Sequence, residues 1–128
     1  MREIKFRAWN KELKKFVYSR DVVMILEEDG TLDIHETSHW DQDFENVSDE
    51  IVLLQYTGLK DETGREIWEG DIRKDSLGRI FKVVFYDDLA AFYGEHPGGL
   101  IQSLADCGPD SEYLGTVYEN PELLEAAE

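Results

Sequence analysis

The chain has 128 residues, 41% of them hydrophobic, a single cysteine and a formal net charge of −16. That length and apolar content fit one globular domain that buries roughly two-thirds of its unfolded surface, and one cysteine excludes an intrachain disulfide. So large an acidic excess repels nucleic-acid phosphates and anionic lipid at long range, and no apolar run reaches the roughly 20 residues that span a bilayer.

Strand signals open the chain. Ile4, Phe6 and Ala8 alternate with Lys5, Arg7 and Trp9, the pattern of a half-buried strand. The polar stretch 10–15 turns the chain, and Phe16–Tyr18 returns it as a hairpin. Seven bases against three acids give residues 1–26 a net charge of +4. Val22–Leu26 is a short β-branched and apolar run. Asp29-Gly30 then signals a hairpin turn, because glycine accepts positive φ, and Thr31–His35 alternates so as to pair back. From Glu36 to Glu50 the pattern fails. Residues 27–50 carry ten acids and no base, mixed with Trp40 and Phe44. An exposed loop is expected there. Trp40, Asp41, Asp43, Phe44 and Glu45 form its candidate interaction surface.

Ile51–Leu54 is apolar on both faces and reads as a central strand, ended by Gly58. Asp61–Gly64 is a turn, Gly70 breaks the chain before Asp71–Lys74, and Leu77-Gly78 turns it again. Arg79–Tyr86 is a long β run. Ile80, Val84 and Tyr86 lie on one face, and Phe81, Val83 and Phe85 on the other. Burial of Trp68, Phe81, Val83 and Phe85 is expected. The Asp87-Asp88 pair turns the chain into a strand over Leu89–Tyr93. Glu95–Gly99 is rich in breakers, and Leu100–Asp106 reads either as a short strand or as one helical turn. Cys107–Asp110 is a loop, and Glu112–Tyr118 closes the sheet. Asn120-Pro121-Glu122 starts a short helix, with Asn as N-cap, Pro at the first position and an acid near the positive dipole end. Short strands punctuated by glycine predict a mainly β fold, with N-terminal hairpins packed beside a small barrel.

Three blocks resemble the YopX family of phage and prophage proteins. They are REIKFRAWNKELKKFVY (Arg2–Tyr18), LLQYTGLKDETGREIWEGDI (Leu53–Ile72) and LGTVYENPELL (Leu114–Leu124). FKVVFYDDLAAFYG (Phe81–Gly94) is similar too. The resemblance implies one domain over 1–128, with hairpins and the acidic loop in 1–50 and an SH3-like barrel in 51–128. It implies a phage-borne gene in a bacterial cell, hence a cytoplasmic protein. It implies no activity, so no catalytic residue carries over. The matched Trp9, Tyr56, Gly58, Trp68, Gly70, Asp71, Gly115, Tyr118, Asn120 and Pro121 are turn, cap and packing types.

Candidate chemistry is sparse. His35 and His39 are four apart, a spacing that ligates zinc on a helix, but here they straddle a strand end and a loop without a third positioned ligand. Cys107 has only His96 near it in sequence, and a nucleophilic thiol needs a base and a lowered pKa. Asp87 and Asp88 read as turn formers. Gly94 and Gly98-Gly99 match no phosphate loop. No catalytic residue, metal or cofactor is expected. The expected function is a non-enzymatic protein-interaction module whose partner presents a basic surface. The basic start of the chain and its acidic remainder also predict self-association. The alternative is an acidic decoy that occupies the groove of a host nucleic-acid-binding protein as a DNA mimic would. An enzyme with an unrecognised site ranks behind both.

Overall fold

The computed structural model describes residues 5–17, 22–26, 28–29, 32–36, 45–46 and 51–125. The architecture is mainly β. The chain divides into two compact units, one of Phe6–Leu54 and one from Gln55 onward together with the start of the chain through Lys5.

In the first unit β1 (Phe6–Asn10) and β2 (Lys15–Val17) form an antiparallel hairpin with Trp9 opposite Phe16. The two rings meet edge-on at 5.0 Å, and the Arg7 guanidinium lies 4.7 Å over the Phe16 ring. Asn10 holds the turn. Its Oδ1 accepts the N–H groups of Glu12 and Leu13, both at 2.9 Å. The alternation predicts Phe6 inside and Trp9 outside, and the structure reverses this: Phe6 is 48% exposed and Trp9 only 6%. Burial here follows position along the strand rather than face, since Ala8, on the same face as Phe6, is 1% exposed, while Trp9 packs on Phe16 from the opposite register position.

β3 (Val22–Leu26) pairs antiparallel with β4 (Leu32–Glu36), as the turn signal predicts, with Leu26 opposite Leu32. The stretch expected as loop from Glu36 onward contains a two-residue strand, β5 (Glu45–Asn46), which pairs with β4. Pairing satisfies backbone groups that a bare loop would leave to water. Trp40, Asp41, Asp43 and Phe44 lie outside the described residues.

β6 (Ile51–Lys60) does not stop at Gly58. Gly58 takes φ 87°, and the pairing with β7 (Glu66–Trp68) shifts register between Tyr56 and Lys60. A left-handed glycine inside a paired strand makes a bulge rather than an end.

The second unit is built on an antiparallel sheet of β8 (Asp71–Lys74), β9 (Ile80–Tyr86), β10 (Ala91–Glu95), β11 (Ile101–Ser103) and β12 (Glu112–Thr116). The strand order is β11-β10-β9-β8-β12. The ambiguous stretch Leu100–Asp106 resolves into both readings, since β11 runs straight into the one-turn helix α1 (Leu104–Cys107). β9 alternates as predicted. Phe81 and Val83 are fully buried and form a core with Ile67, Leu104 and Cys107, against which Leu59 and Phe92 pack. Phe85 is the exception, 41% exposed, and Trp68 is half-buried, stacked 5.5 Å from Tyr56. Phe85 sits where a 3₁₀ turn (Asp87–Leu89) ends the strand, and Phe92 meets it edge-on at 5.1 Å from the opposite register position.

A short helix, α2 (Glu122–Glu125), follows β12. Asn120 does not cap it as expected. Its Oδ1 turns back to accept the Thr116 N–H at 3.3 Å, in the space left by Gly115, where a Cβ would run into the carboxamide. No helix among the described residues is long and apolar enough to cross a membrane.

Candidate functional site

Three turns of the second unit are closed by the same pair of backbone hydrogen bonds. They begin at Asp61, Asp75 and His96. In each, the first residue donates its N–H to the carbonyl four positions on: Asp61 to Arg65 at 2.9 Å, Asp75 to Arg79 at 2.8 Å and His96 to Leu100 at 2.8 Å. In each, the glycine three positions on donates back to the first carbonyl, all at 3.0 Å. Those glycines, Gly64, Gly78 and Gly99, take φ of 89°, 84° and 97°, a region where a Cβ is strained.

The two aspartates use their side chains alike. Asp61 Oδ1 accepts the N–H groups of Thr63 and Arg65 at 2.9 and 3.1 Å, and Asp75 Oδ1 those of Leu77 and Arg79 at 3.0 and 2.8 Å. Each Oδ2 takes a guanidinium. For Asp75 it is Arg79 Nε at 2.9 Å, four residues on. For Asp61 it is Nη2 of the buried Arg73 at 2.5 Å. Arg73 Nε also donates to Ser111 Oγ at 2.6 Å, and Arg65 stacks 3.5 Å over the Tyr113 ring beside it. Burial opposes ionisation of Asp61. The donors Thr63, Arg73 and Arg65 outweigh burial and lower its pKa to about 2. Burial is likewise outweighed at Asp75 by the bonds from Arg79 and Leu77, which lower its pKa.

His96 departs from this pattern. Pro97 fixes φ near −65°, and Gly98 has φ 95°, so the central peptide of this turn has the type II orientation. That peptide is flipped relative to a type I turn, which removes the N–H that an aspartate at this position would accept. An imidazole stands there instead. It is 6% exposed, its ring lies 5.4 Å from Phe81, and its Nε2 bonds Gln102 Oε1 at 2.8 Å. Arg79 Nη2 donates to the same oxygen at 3.5 Å, so Oε1 accepts and His96 Nε2 carries the proton. Nδ1 is buried and has no hydrogen-bond partner. Asp75, Arg79, Gln102 and His96 thus form one polar chain joining two turns.

A cleft opens on each side of the His96 turn. One, of about 400 Å³, is lined by Gly78, Arg79, Ile80, His96, Pro97 and Leu100. The other, of about 190 Å³, is lined by Lys82, Glu95, His96, Pro97, Gly98, Gly99 and Leu124, with Lys82 and Glu95 paired at 3.5 Å.

The residues singled out in the sequence do not converge on this place. His35 lies in β4 and His39 outside the described residues, as do Trp40, Asp41, Asp43 and Phe44, while Glu45 lies in β5 opposite Glu36. Among the described residues, no three His, Cys, Asp or Glu side chains are placed to hold a metal ion. Asp87 and Asp88 are exposed in the 3₁₀ turn. Cys107 is buried in the core, and burial pushes its thiol up, away from thiolate. The sequence did carry a signal for the His96 turn. DETGR and DSLGR repeat a spacing of aspartate, glycine and arginine, and HPGGL keeps the glycine at the same place.

The family model described as YopX protein matches residues 5–125. The chain is similar to the crystal structure of protein EF1440 from Enterococcus faecalis, at 26% identity and TM-score 0.63, over 97% of this chain and 99% of that one. It is also similar to the X-ray structure of protein yopX from Bacillus subtilis, at 20% identity and TM-score 0.63, over 97% and 99%. No curated protein matches. With nearly the whole described length under one family match, the chain belongs to the YopX family.

Proposed function

We propose that this chain is a non-enzymatic protein-interaction module that works through the turn end of its five-stranded sheet. One observation carries the reading. Leu77, Leu100 and Ile101 are 76%, 52% and 36% exposed, and all three lie on or beside the two turns joined by the polar chain. The register puts both turns at one end of the sheet, since Lys82 faces Glu95 and Lys74 faces Ile80. Large apolar side chains gathered at one exposed place mark a docking surface more often than a reaction centre. The groups with reactive potential are committed elsewhere: Asp61 and Asp75 to their turns, Cys107 to the core. The blocks shared with phage and prophage proteins support a bacterial cytoplasmic setting.

A tagged protein, used as bait in lysate from a phage-infected bacterium, tests this. The expected result is a specific protein recovered by the native chain and lost with the Leu77→Ser, Leu100→Ser double variant. Recovery of nothing above background would count against the module. Recovery only of nucleic-acid-binding proteins, released by moderate salt and indifferent to the double variant, would favour the acidic decoy.

A further inference from the structure

We infer that the larger cleft beside His96 binds an extended peptide segment of a partner protein, one that carries an apolar side chain next to an aspartate or glutamate. This rests on the reading of the chain as an interaction module and gives that module a ligand chemistry.

The cleft has two chemically different walls. Ile80, Pro97 and Leu100 make an apolar socket. Arg79 stands at its rim with 41% of its side chain exposed, while its partner Asp75 is 6% exposed. The Asp75 carboxylate is shut in by N–H donors from Leu77 and Arg79, so what meets solvent is the guanidinium. Guanidinium groups bind carboxylates with two parallel hydrogen bonds and keep donors to spare when one edge is already used.

Charge favours such a segment at this end of the sheet. Lys74, Arg79 and Lys82 reach solvent there, whereas residues 83–128 carry ten acids and no base. An acidic segment approaching those later residues meets repulsion. At physiological salt the repulsion fades beyond roughly 8 Å, so a local cluster of bases can act despite the net charge.

A further feature favours a peptide over a small acid. Among the described residues β11 pairs with β10 alone, so its outer edge can accept an added strand beside the socket.

The test is selection of a random dodecapeptide library, displayed on phage, against the full chain. Enriched sequences should place Leu, Ile or Phe beside Asp or Glu. A fluorescein-labelled copy of the enriched peptide is then titrated by anisotropy. Arg79→Glu and Leu100→Asp should each weaken binding by about tenfold or more, while Lys14→Glu, the same kind of charge change in the other unit, should leave it within about twofold. Leu100 is 52% exposed, and far-ultraviolet circular dichroism of its variant separates loss of the site from loss of the fold. No enrichment, enriched peptides indifferent to both cleft variants, or equal weakening by Lys14→Glu would each overturn the assignment. If a lysate partner still binds the Arg79→Glu, Leu100→Asp chain, the cleft fails and the interaction module stands. If neither partner nor peptide binds, both fall.

Discussion

Asp75 and His96 occupy the same position in two turns closed by the same pair of backbone hydrogen bonds, but only the aspartate bonds its side chain to its own turn. Asp75 Oδ1 takes the N–H groups of Leu77 and Arg79, whereas the imidazole reaches out to Gln102. The difference predicts a split between two substitutions at Asp75. Asp75→Ala leaves two N–H groups without their acceptor and should cost about 1–3 kcal/mol. Asp75→Asn keeps Oδ1 and loses only a half-exposed ion pair, so it should cost about 1 kcal/mol or less. Urea denaturation of the two variants checks the split, and equal losses would show that the charge, not the acceptor, holds the turn.

The Arg73–Asp61 pair is shut from solvent on both sides, at 0% and 5% side-chain exposure. Arg73→Met should therefore destabilise by about 3–5 kcal/mol, because it leaves an uncompensated carboxylate in the interior. Adding Asp61→Asn removes that charge while keeping the acceptor for Thr63 and Arg65. The double variant should recover most of the loss. A double variant no more stable than Arg73→Met alone would place the cost in the guanidinium's packing against Ser111 and Tyr113.

Acid should unfold the second unit through the same carboxylates. The folded pKa of Asp61 is depressed to about 2 from 3.8, so its contribution is full above its ordinary value and is lost as the pH falls through about 2. Asp75 is depressed as well and adds loss in the same direction. Glu69 works oppositely. Burial raises its pKa, so it favours the folded state below 4.5 and loses that contribution as the pH rises. Urea midpoints measured from pH 5 down to pH 2 should fall, and should fall less steeply for Asp61→Asn.

Gly94 lies opposite Val83 in the middle of the sheet, with no room for a side chain. A Cβ there would sit 2.7 Å from the Phe81 ring and 2.8 Å from Cys107 Sγ. Gly94→Ala should cost about 1–3 kcal/mol by overpacking. Pairing it with Cys107→Ala should return part of that, since the sulfur leaves but the ring does not. A thermal melt of the single variant matching the native chain would show that the core yields there.

Local signals made much of this fold legible. The alternation of β9 gave the burial of Phe81 and Val83, and the Asp29-Gly30 signal gave the pairing of β3 with β4. The misses came where a distant residue decides. Phe16 on the neighbouring strand covers Trp9, and pairing with β7 carries β6 through Gly58. Gly115 leaves the space into which Asn120 turns. The cleft beside His96 escaped for a related reason. The spacing of DETGR, DSLGR and HPGGL shows that three turns are alike, but which side chain spans from one turn to the next depends on strand order. The acidic surface of Trp40, Asp41, Asp43 and Phe44 is a reading of composition alone.

β12 pairs with β8 across three intervening strands, Glu112 opposite Lys74 and Thr116 opposite Asp71. During synthesis the hairpins from β8 to β11 can close within a few residues of their own emergence. The outer edge of β8 cannot. At 5–20 residues per second, the ribosome needs roughly 2–8 seconds to carry the chain from Lys74 to Thr116. For that interval the nascent protein exposes an unpaired strand edge open to any neighbouring strand, and Arg73 waits for Ser111. The last strand thus acts as a seal, and how soon it follows β11 sets how long each new molecule is vulnerable to mispairing.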